Sequence, residues 1–382
     1  MSDGAGHPLR VSRRMDGIEA SGIRRMFERV ATLDDPVNLS IGQAHFEVPP
    51  AVRNAAVEAV GAGHNRYTPT QGIPGLIEAV LDRQEARLGA RPESALVTSG
   101  VSVGLLLSYS VTLDPGDEIL LPDPYFKMYL VQAQMLGAVP RFYETGPDWT
   151  IDTERIESQI TERTRVLLVN TPQNPTGRVY TEDEVRAVAD IAERHGLIVL
   201  ADEIYEDFVF EGDLPSVASH TDRCLTLSGF SKTFGAAGWR VGWITGPAAL
   251  TDPMLTLQQF TFVCAPTPFQ HAAVAGLTDG EEAARARARC GEYAAKRDRV
   301  FSGLGDVFPM REPEGSFYSF PRLPEGWTGA DFAQACLDEK TLVVPGSAFS
   351  AHDTHFRLSF AAPDRDLDRG IEILRGVAEH RS

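Results

Sequence analysis

The stretch RVLLVNTPQNPTGRVYTEDEVRAVADIAERHGLIVLAD, residues 165–202, determines the expected fold. It begins and ends with short apolar runs that are typical of buried strands. Between them, Thr181 and Glu184 form a capping box, which predicts the start of a helix, and His195-Gly196 marks its end. Strand, helix and strand in this order indicate parallel strands that are joined by a crossover helix.

Similar apolar runs on both sides of this stretch predict a larger sheet. Counting the two runs within it, buried strands are expected at 95–98, 118–121, 165–169, 197–201 and 224–227. Strands that alternate with helices in this way predict a mostly parallel sheet with helices on both faces.

The regions before and after the sheet have mostly helical patterns. Apolar residues spaced three and four apart predict two early helices, one containing Ile23, Met26, Phe27 and Val30 and one containing Leu76, Ile77, Val80 and Leu81. After the sheet, a long helix at 281–299 is followed by short strands at 317–320, 341–344 and 356–360.

The length of the chain, 382 residues, predicts two domains, because a single hydrophobic core stops growing at about 250–300 residues. The expected fold class is α/β, with a large domain built on a mostly parallel sheet flanked by helices and a smaller α+β domain. We expect an N-terminal arm and part of the small domain at 1–45, the large domain at 46–285, and the rest of the small domain at 286–382.

Composition and charge exclude several classes of protein. The formal net charge of −17 disfavours nucleic acids and anionic membrane surfaces as general partners. The four cysteines form no Cys-x-x-Cys or Cys/His cluster, and neither a signal peptide nor a run of 18 apolar residues is found. These features predict a cytoplasmic protein that neither spans a membrane nor holds a metal.

Polar motifs follow the predicted strands of the large domain. They occupy 98–100, 122–126, 170–177, 201–205 and 228–232. Ligands of open α/β sheets bind outside the carboxyl ends of the strands, so these five motifs are expected to converge on one site.

Lys232 is the first candidate for a catalytic residue in this site. It follows a predicted strand in a segment of small residues, and Arg240 lies eight residues further on. Burial and neighbouring cations lower the pKa of a lysine amine and make it a useful nucleophile, typically for a Schiff base. The alternative is a solvated surface lysine, which is the commoner situation for this residue type.

Three further polar residues fit a site for a heterocyclic cation. Asp202 follows a fully apolar run, where a buried carboxylate needs a cationic partner such as a protonated pyridine nitrogen. Tyr205 and Asn174 lie where a phenol and an amide could bind a ring oxygen. The alternatives are a helix cap for Asp202 and ordinary turn chemistry for Asn174-Pro175.

An anion site is expected at the start of the helix that follows Ser99. The exposed N–H groups there, at Gly100 and Val101, attract negative charge, and Ser231 and Arg240 could complete a phosphate site. The sequence contains neither a Walker A loop nor a Gly-x-Gly-x-x-Gly motif after a strand, so a dinucleotide is not indicated.

Taken together, these motifs resemble the fold-type I pyridoxal-phosphate enzymes, specifically the class I/II aminotransferase family. The resemblance covers nearly the whole chain and adds three segments to the five strand-end motifs, namely 39–42, 67–74 and 356–360. It implies pyridoxal 5′-phosphate as the cofactor, a homodimer with shared active sites, and an L-α-amino acid and a 2-oxo acid as substrates. It also implies a ping-pong mechanism.

The resemblance also implies a role for each matching residue. Lys232 would form the Schiff base (aldimine), Asp202 would pair with the ring nitrogen, and Tyr205 and Asn174 would contact the 3′-oxygen. Phe126 would stack on the ring, and the phosphate would be held by Gly100, Val101, Ser231, Arg240 and, from the other subunit, Tyr67. Arg357 would bind the substrate carboxylate, and Gly42 would line its pocket. One departure is Gly229, where many relatives have a phosphate-binding serine.

Other functions compete with transamination. The same cofactor supports other reactions of amino acids, including C–S β-elimination and oxidation, and a cofactor-free binding protein is a further alternative. A serine hydrolase is the remote alternative, because Gly100-Val-Ser102-Val-Gly104 fits a nucleophile elbow that is followed by Asp202 and by His352 or His355. That reading leaves Lys232 and Arg240 without a role.

The sequence favours neutral, aromatic or apolar amino acids over aspartate as substrates. A distal carboxylate needs a second cation, and neither 101–112 nor 258–270 contains lysine or arginine. Aromatic residues are plentiful near the motifs, at Phe46, Tyr125, Phe126 and Phe262. Arg24 or Arg66 could still supply the missing charge.

Overall fold

The computed structural model describes residues 10–16, 18, 33–146 and 148–379. Its strands are β1 (Val37–Asn38), β2 (Ser94–Thr98), β3 (Glu118–Asp123), β4 (Val139–Glu144), β5 (Thr164–Asn170), β6 (Ile198–Asp202), β7 (Cys224–Gly229), β8 (Gly242–Gly246), β9 (Tyr318–Ser319), β10 (Thr341–Leu342), β11 (Val344–Pro345) and β12 (Phe356–Ser359). Its α-helices are α1 (Pro50–Gly61), α2 (Pro74–Leu88), α3 (Val101–Thr112), α4 (Lys127–Met135), α5 (Thr153–Gln159), α6 (Glu182–His195), α7 (Phe230–Thr233), α8 (Ala248–Gln259), α9 (Thr267–Thr278), α10 (Gly280–Leu304), α11 (Gly329–Asp338) and α12 (Asp364–Glu379).

The central sheet has seven strands in the order β2-β8-β7-β6-β5-β3-β4. Strand β8 runs antiparallel to both of its neighbours, and the other strand pairs are parallel. The prediction of a mostly parallel sheet is therefore confirmed, and all five predicted strands are present with ends that differ by a few residues.

Helices cover both faces of this sheet and bury its apolar side chains. One face packs against α3, α4 and α8, through residues such as Leu105, Tyr129 and Met254. The opposite face packs against α5 and α6, through residues such as Ile156 and Val188. The expected capping box is present at the start of α6, and Gly196 ends that helix in the left-handed region with φ 67°.

A second, smaller core joins the beginning and the end of the described chain. Strand β1 pairs with β10, and an antiparallel sheet has the order β11-β12-β9. Buried side chains of this core come from β1, α10, α11, β12 and α12. The domain boundaries at 45/46 and 285/286 stay predictions, and α10 runs continuously through residue 285.

Two strands of the central sheet were not predicted, β4 and β8. Strand β4 lies at the edge of the sheet, contains Pro140 and has one buried residue, so its apolar pattern is weak. Strand β8 begins and ends with glycine, and at Gly242 a Cβ would lie 2.6 Å from the backbone nitrogen of Val101. The close approach of the Val101 backbone therefore explains why β8 begins with a glycine, a residue that does not indicate a strand in the sequence.

Two of the expectations concern parts of the chain outside the sheet. The predicted helix with Ile23, Met26, Phe27 and Val30 lies outside the described residues, as does Arg24. The helix with Leu76, Ile77, Val80 and Leu81 is α2. Within the described residues, no helix is both long and apolar enough to cross a membrane.

Candidate active site

The five polar motifs meet at one edge of the central sheet. Asn170, at the end of β5, is in register with Asp202 at the end of β6, and Asp202 is in register with Leu227 near the end of β7. Gly242, at the start of the antiparallel strand β8, is opposite both Gly229 and Thr98. The sheet register therefore brings the motifs together.

Lys232 lies in α7, directly after β7, and its side chain is partly buried. Its Nζ donates a hydrogen bond to the carbonyl oxygen of Gly42 over 2.7 Å. Burial, together with the positive charge of Arg357, lowers the pKa of Lys232 from 10.5 to about 8, although the nearby carboxylate of Asp202 opposes this shift. The amine is therefore less basic than a surface lysine.

Gly42 has to be glycine in this arrangement. A Cβ at this position would lie 1.9 Å from the phenolic oxygen of Tyr318, which is closer than any real contact. The close approach of Tyr318 thus fixes the backbone that accepts the hydrogen bond from Lys232.

Asp202 is the buried carboxylate of the site, and 6% of the residue is exposed. Its Oδ2 accepts a hydrogen bond from the phenol of Tyr129 over 2.8 Å, and its Oδ1 accepts one from the backbone N–H of Ile204 over 3.2 Å. Burial raises the pKa of Asp202, while these two hydrogen bonds and the charge of Lys232 act in the opposite direction. The carboxylate is therefore held in place by protein donors on both oxygens.

The loop after Asp202 is anchored to α2 by buried ion pairs. Arg83 binds Asp207 over 2.7 Å, and Arg87 binds Glu203. Within this loop, the hydroxyl of Tyr205 lies 3.1 Å from that of Tyr318. These contacts fix both Asp202 and Tyr205 relative to the second core.

Arg357, on β12, is a buried cation that makes only neutral hydrogen bonds. Its Nη1 donates to Oδ1 of Asn174 over 3.0 Å, and its Nη2 donates to the carbonyl oxygen of Ser40 over 2.6 Å. Its Nε has no hydrogen-bond partner, and among the described residues no carboxylate lies within ion-pair distance. A buried guanidinium in this state favours an anion from outside the chain.

Two aromatic rings enclose this guanidinium. The Cζ atom of Arg357 lies 4.3 Å from the ring centroid of Tyr318 and 4.7 Å from that of Phe349. Burial lowers the pKa of Arg357, and the neighbouring phenols of Tyr318 and Tyr205 oppose that shift. The two rings hold the plane of the guanidinium fixed.

The expected phosphate site has little room for side chains. Gly100 caps α3 with φ 84°, and a Cβ there would lie 2.4 Å from Nη2 of Arg240. Arg240 is itself exposed, and its guanidinium donates to the carbonyl oxygens of Ala237 and Ser99. Val101 begins α3, and Ser231 precedes Lys232 in α7. Arg240 and Gly100 are therefore in close contact at the N-terminus of α3, where the backbone N–H groups and the guanidinium favour an anion.

Phe126 and Tyr67 lie on different sides of this region. Phe126 is the residue before α4, and its ring meets that of Tyr129 edge to face at 5.7 Å. Tyr67 is 83% exposed, and together with Ser99 it lines a surface cleft of about 860 Å³. Within one chain, Tyr67 is therefore a surface residue.

Sequence reasoning missed four contributors to the site: Tyr129, Tyr318, Phe349 and the carbonyl group of Ser40. Tyr129 had a detectable signal, because it lies three residues after Phe126 and so on the same face of a helix. The others come from segments far away in sequence, and only the tertiary fold brings them to Arg357.

The arrangement needed by a serine hydrolase is not present in the described residues. Ser102 lies in the first turn of α3, and its carbonyl accepts a hydrogen bond from Gln132. Asp202 is bonded to Tyr129 rather than to a histidine. His355 stacks on Phe320 with ring centroids 4.9 Å apart. Nor do the described residues contain a cluster of three or more groups that could hold a metal.

Comparison with known proteins agrees with this geometry. A model of the family "Aminotransferase class I and II" matches residues 34–374. A probable aspartate aminotransferase of Methanocaldococcus jannaschii is 32% identical over 97% of this chain and 100% of its own length. Aromatic-amino-acid aminotransferase 2 of Thermococcus litoralis is 31% identical over 98% of this chain and 99% of its own length.

A solved structure extends the similarity to three dimensions. The aspartate aminotransferase of Thermus thermophilus with maleate superposes with a TM-score of 0.93 at 31% identity, over 97% of this chain and all of that one. The resemblance inferred from the sequence motifs is thereby confirmed. The chain belongs to the class I and II aminotransferase family.

Proposed function

We propose that this aminotransferase depends on pyridoxal 5′-phosphate and transfers the amino group of an L-α-amino acid to a 2-oxo acid in ping-pong order. The observation that carries this proposal is one cluster of charged groups, an amine of lowered pKa, a buried carboxylate and a buried arginine without a carboxylate partner, namely Lys232, Asp202 and Arg357. Neither elimination nor hydrolysis has comparable support.

The residues present fit the cofactor. Gly100 has φ 84°, and at Gly242 a Cβ would lie 2.6 Å from the backbone nitrogen of Val101, so both positions favour glycine. The exposed guanidinium of Arg240 lies against Gly100 and supplies a cation there. The phosphate would be held by Gly100, Val101, Ser231 and Arg240, and the ring by Asp202, Tyr205, Asn174 and Phe126. When bound, pyridoxal phosphate supplies an electron-accepting ring that stabilises the carbanion left by the departing α-proton.

The proton transfer is assigned to Lys232. With its pKa lowered to about 8, the amine has a larger neutral fraction near neutral pH than a surface lysine has, which favours its accepting a proton from Cα and returning it. Gly42 orients Nζ through its carbonyl oxygen. Arg357 binds the α-carboxylate through its fixed guanidinium, which places Cα near Lys232.

Substrate preference is proposed for neutral, aromatic or apolar amino acids. Helix α3 and the segment 258–270 contain no lysine or arginine to bind a distal carboxylate, and Phe349 and Tyr318 make the surroundings of Arg357 aromatic. Most of the similar relatives are named for aspartate and one is named for aromatic amino acids, so their names weigh against this preference, which rests on the residues of this chain.

Reconstitution tests the cofactor and the substrate class together. Purified protein is mixed with pyridoxal phosphate, and the visible band of a lysine-bound cofactor is expected. Donors are then screened with 2-oxoglutarate and pyruvate as acceptors. Phenylalanine, tyrosine or leucine should bleach the band faster than aspartate, and an acceptor should restore it. If no band forms, the cofactor assignment is wrong, and if aspartate reacts fastest, the substrate class is wrong.

We further propose a cytoplasmic homodimer with shared active sites. Tyr67 and Phe260 are both 83% exposed, and Phe262 and Val263 are partly exposed beside the cleft that Tyr67 lines. Exposed aromatic residues of this kind favour a protein interface. Across a two-fold axis, Tyr67 of each subunit would serve the phosphate of the other.

Mixing inactive subunits tests this sharing. If Tyr67 acts in trans, a heterodimer of Lys232→Ala and Tyr67→Ala subunits has one site with both lesions and one intact site, so activity should return. The matched control is Lys232→Ala with Arg357→Ala, which leaves one lesion in each site and should stay inactive. In the homodimer, Tyr67→Phe should weaken cofactor binding by roughly 1–2 kcal/mol. Equal activity of the two mixtures would contradict the shared site.

A further inference from the structure

Two buried tyrosines, Tyr129 and Tyr109, lie near Asp202. Tyr129 comes from the first turn of α4 and Tyr109 from α3, and both pack in the core on one face of the sheet. The phenol of Tyr129 donates to Oδ2 of Asp202 over 2.8 Å. The phenol of Tyr109 is buried and has no hydrogen-bond partner in the described structure. Tyr129 and Tyr109 are therefore buried in the same core, and only Tyr129 has a hydrogen bond to its hydroxyl.

Tyr129 is the one side-chain donor to Asp202 among the described residues. The other donor is the backbone N–H of Ile204, and Asn170 binds the main-chain oxygen of Asp202 rather than its carboxylate. No arginine or histidine of the described chain forms an ion pair with this carboxylate. The titratable groups that face it are Tyr109 from α3, Tyr129 from α4, Tyr205 from its own loop and Lys232 from α7.

We propose that Tyr129 is a positioning residue that keeps Asp202 ionised and aimed at the ring nitrogen of the cofactor. This inference rests on the proposed function, because it assigns Asp202 to that nitrogen. The phenol of Tyr129 donates a hydrogen bond to Oδ2, and the backbone N–H of Ile204 donates one to Oδ1. The carboxylate plane is thereby fixed, and its remaining lone pairs are available to a cation.

Asp202 and Tyr129 each shift the pKa of the other. Burial raises the pKa of Asp202, and the hydrogen bond from Tyr129 is the largest influence that lowers it. Burial and the charge of Asp202 raise the pKa of Tyr129 well above 10, so the phenol keeps its proton and remains a donor. Removing the hydroxyl should therefore raise the pKa of Asp202 and weaken its hold on a protonated ring.

Helix α4 would then support the cofactor in two ways. Phe126, the residue before the helix, is assigned to the ring face, and its own ring meets that of Tyr129 edge to face at an interplanar angle of 85°. Tyr129, three residues later, donates a hydrogen bond to the carboxylate that would pair with the ring nitrogen. The N-terminus of α4 thus positions both Phe126 and the hydroxyl of Tyr129.

The first experiment uses the protein without cofactor. The carboxyl C=O stretch of Asp202 is isolated by infrared difference against Asp202→Asn and is followed through a pH titration. In Tyr129→Phe, which keeps the ring, the titration should move by about one pH unit or more to higher pH. The matched control, Tyr109→Phe, removes a hydroxyl that makes no bond and should titrate like the wild type.

The second experiment uses the loaded enzyme and a double-variant cycle. Tyr129→Phe should slow the half-reaction with a saturating donor about 10- to 100-fold, the scale of a lost hydrogen bond to a charged group. In the Asp202→Asn background, the same change should cost less than about threefold, because the anion it serves is gone. Tyr109→Phe should leave the rate unchanged.

The outcomes separate this inference from the proposed function. If the carboxyl titration of Tyr129→Phe matches that of the wild type, or if its rate loss is as large in the Asp202→Asn background, then Tyr129 is only a core residue and the inference is overturned. If the wild-type protein forms no lysine-bound cofactor, the proposed function fails. The infrared titration of the cofactor-free protein would still decide whether Tyr129 controls Asp202.

Discussion

Replacing Lys232 with alanine is expected to abolish turnover while leaving a folded protein that still binds the cofactor without a covalent bond. The substitution removes the nucleophile and the proton carrier together, so no second residue can compensate for either step. The visible band of the lysine-bound cofactor should be absent, and the half-reaction with a donor should slow by several orders of magnitude. Visible spectra and stopped-flow single-turnover rates measure both effects.

The chain offers a direct control because it has four lysines, Lys127, Lys232, Lys296 and Lys340. Lys340→Ala changes an exposed lysine and should keep both the band and the rate. Reduction with borohydride followed by peptide mapping should place the cofactor on Lys232. Recovery of the cofactor on any of the other three lysines would show that the assignment is wrong.

The sequence predicted the central part of the fold because its signals there are local. Strands β5 and β6 are continuous apolar runs, since helices cover both faces of the sheet, and the capping box at Thr181 and Glu184 is a short-range pattern. Strand β8 has no such signal. The first residue of this strand, Gly242, is a glycine because the backbone of Val101 lies too close for a Cβ. The two residues are far apart in the chain, so the sequence does not reveal this contact.

The same distinction holds in the candidate site. Asp202 ends β6, and Asn174 and Lys232 lie within four residues of the ends of β5 and β7, so sequence order alone predicts that they meet at one sheet edge. The surroundings of Arg357 do not follow from order, because Ser40, Tyr318 and Phe349 come from three separate segments. The partners that tune the charged groups are thus harder to predict than the charged groups themselves.

Tyr129 illustrates why this is so. Its position in a helix is readable from the sequence, yet its apolar ring belongs to the core and only its hydroxyl reaches Asp202. A buried tyrosine such as Tyr109 has the same sequence signature and no hydrogen bond. Only the coordinates distinguish the two.

Asp202→Asn is expected to slow α-proton abstraction by several orders of magnitude while the cofactor stays bound. The amide keeps the shape of the carboxylate, and its single oxygen can accept the hydrogen bond from either Tyr129 or Ile204. The fold and the proposed phosphate contacts at Gly100 and Arg240 should therefore be preserved. What is lost is the negative charge that keeps the ring nitrogen protonated, and with it the ring's capacity to accept electrons. Single-turnover rates with a saturating donor measure the slower proton abstraction, and cofactor retention after gel filtration measures whether the cofactor stays bound.

A cofactor with a permanent positive charge separates the charge of Asp202 from its other roles. Pyridoxal phosphate that is N-methylated at the ring nitrogen carries its charge without a proton, so it should recover part of the lost rate in Asp202→Asn and gain nothing in the wild type. Burial raises the pKa of Asp202, and the hydrogen bonds from Tyr129 and Ile204 oppose that shift and favour the charged carboxylate. If Asp202→Asn reacts at a near wild-type rate with the ordinary cofactor, then Asp202 is a structural carboxylate, and the ring nitrogen is protonated by some other group or not at all.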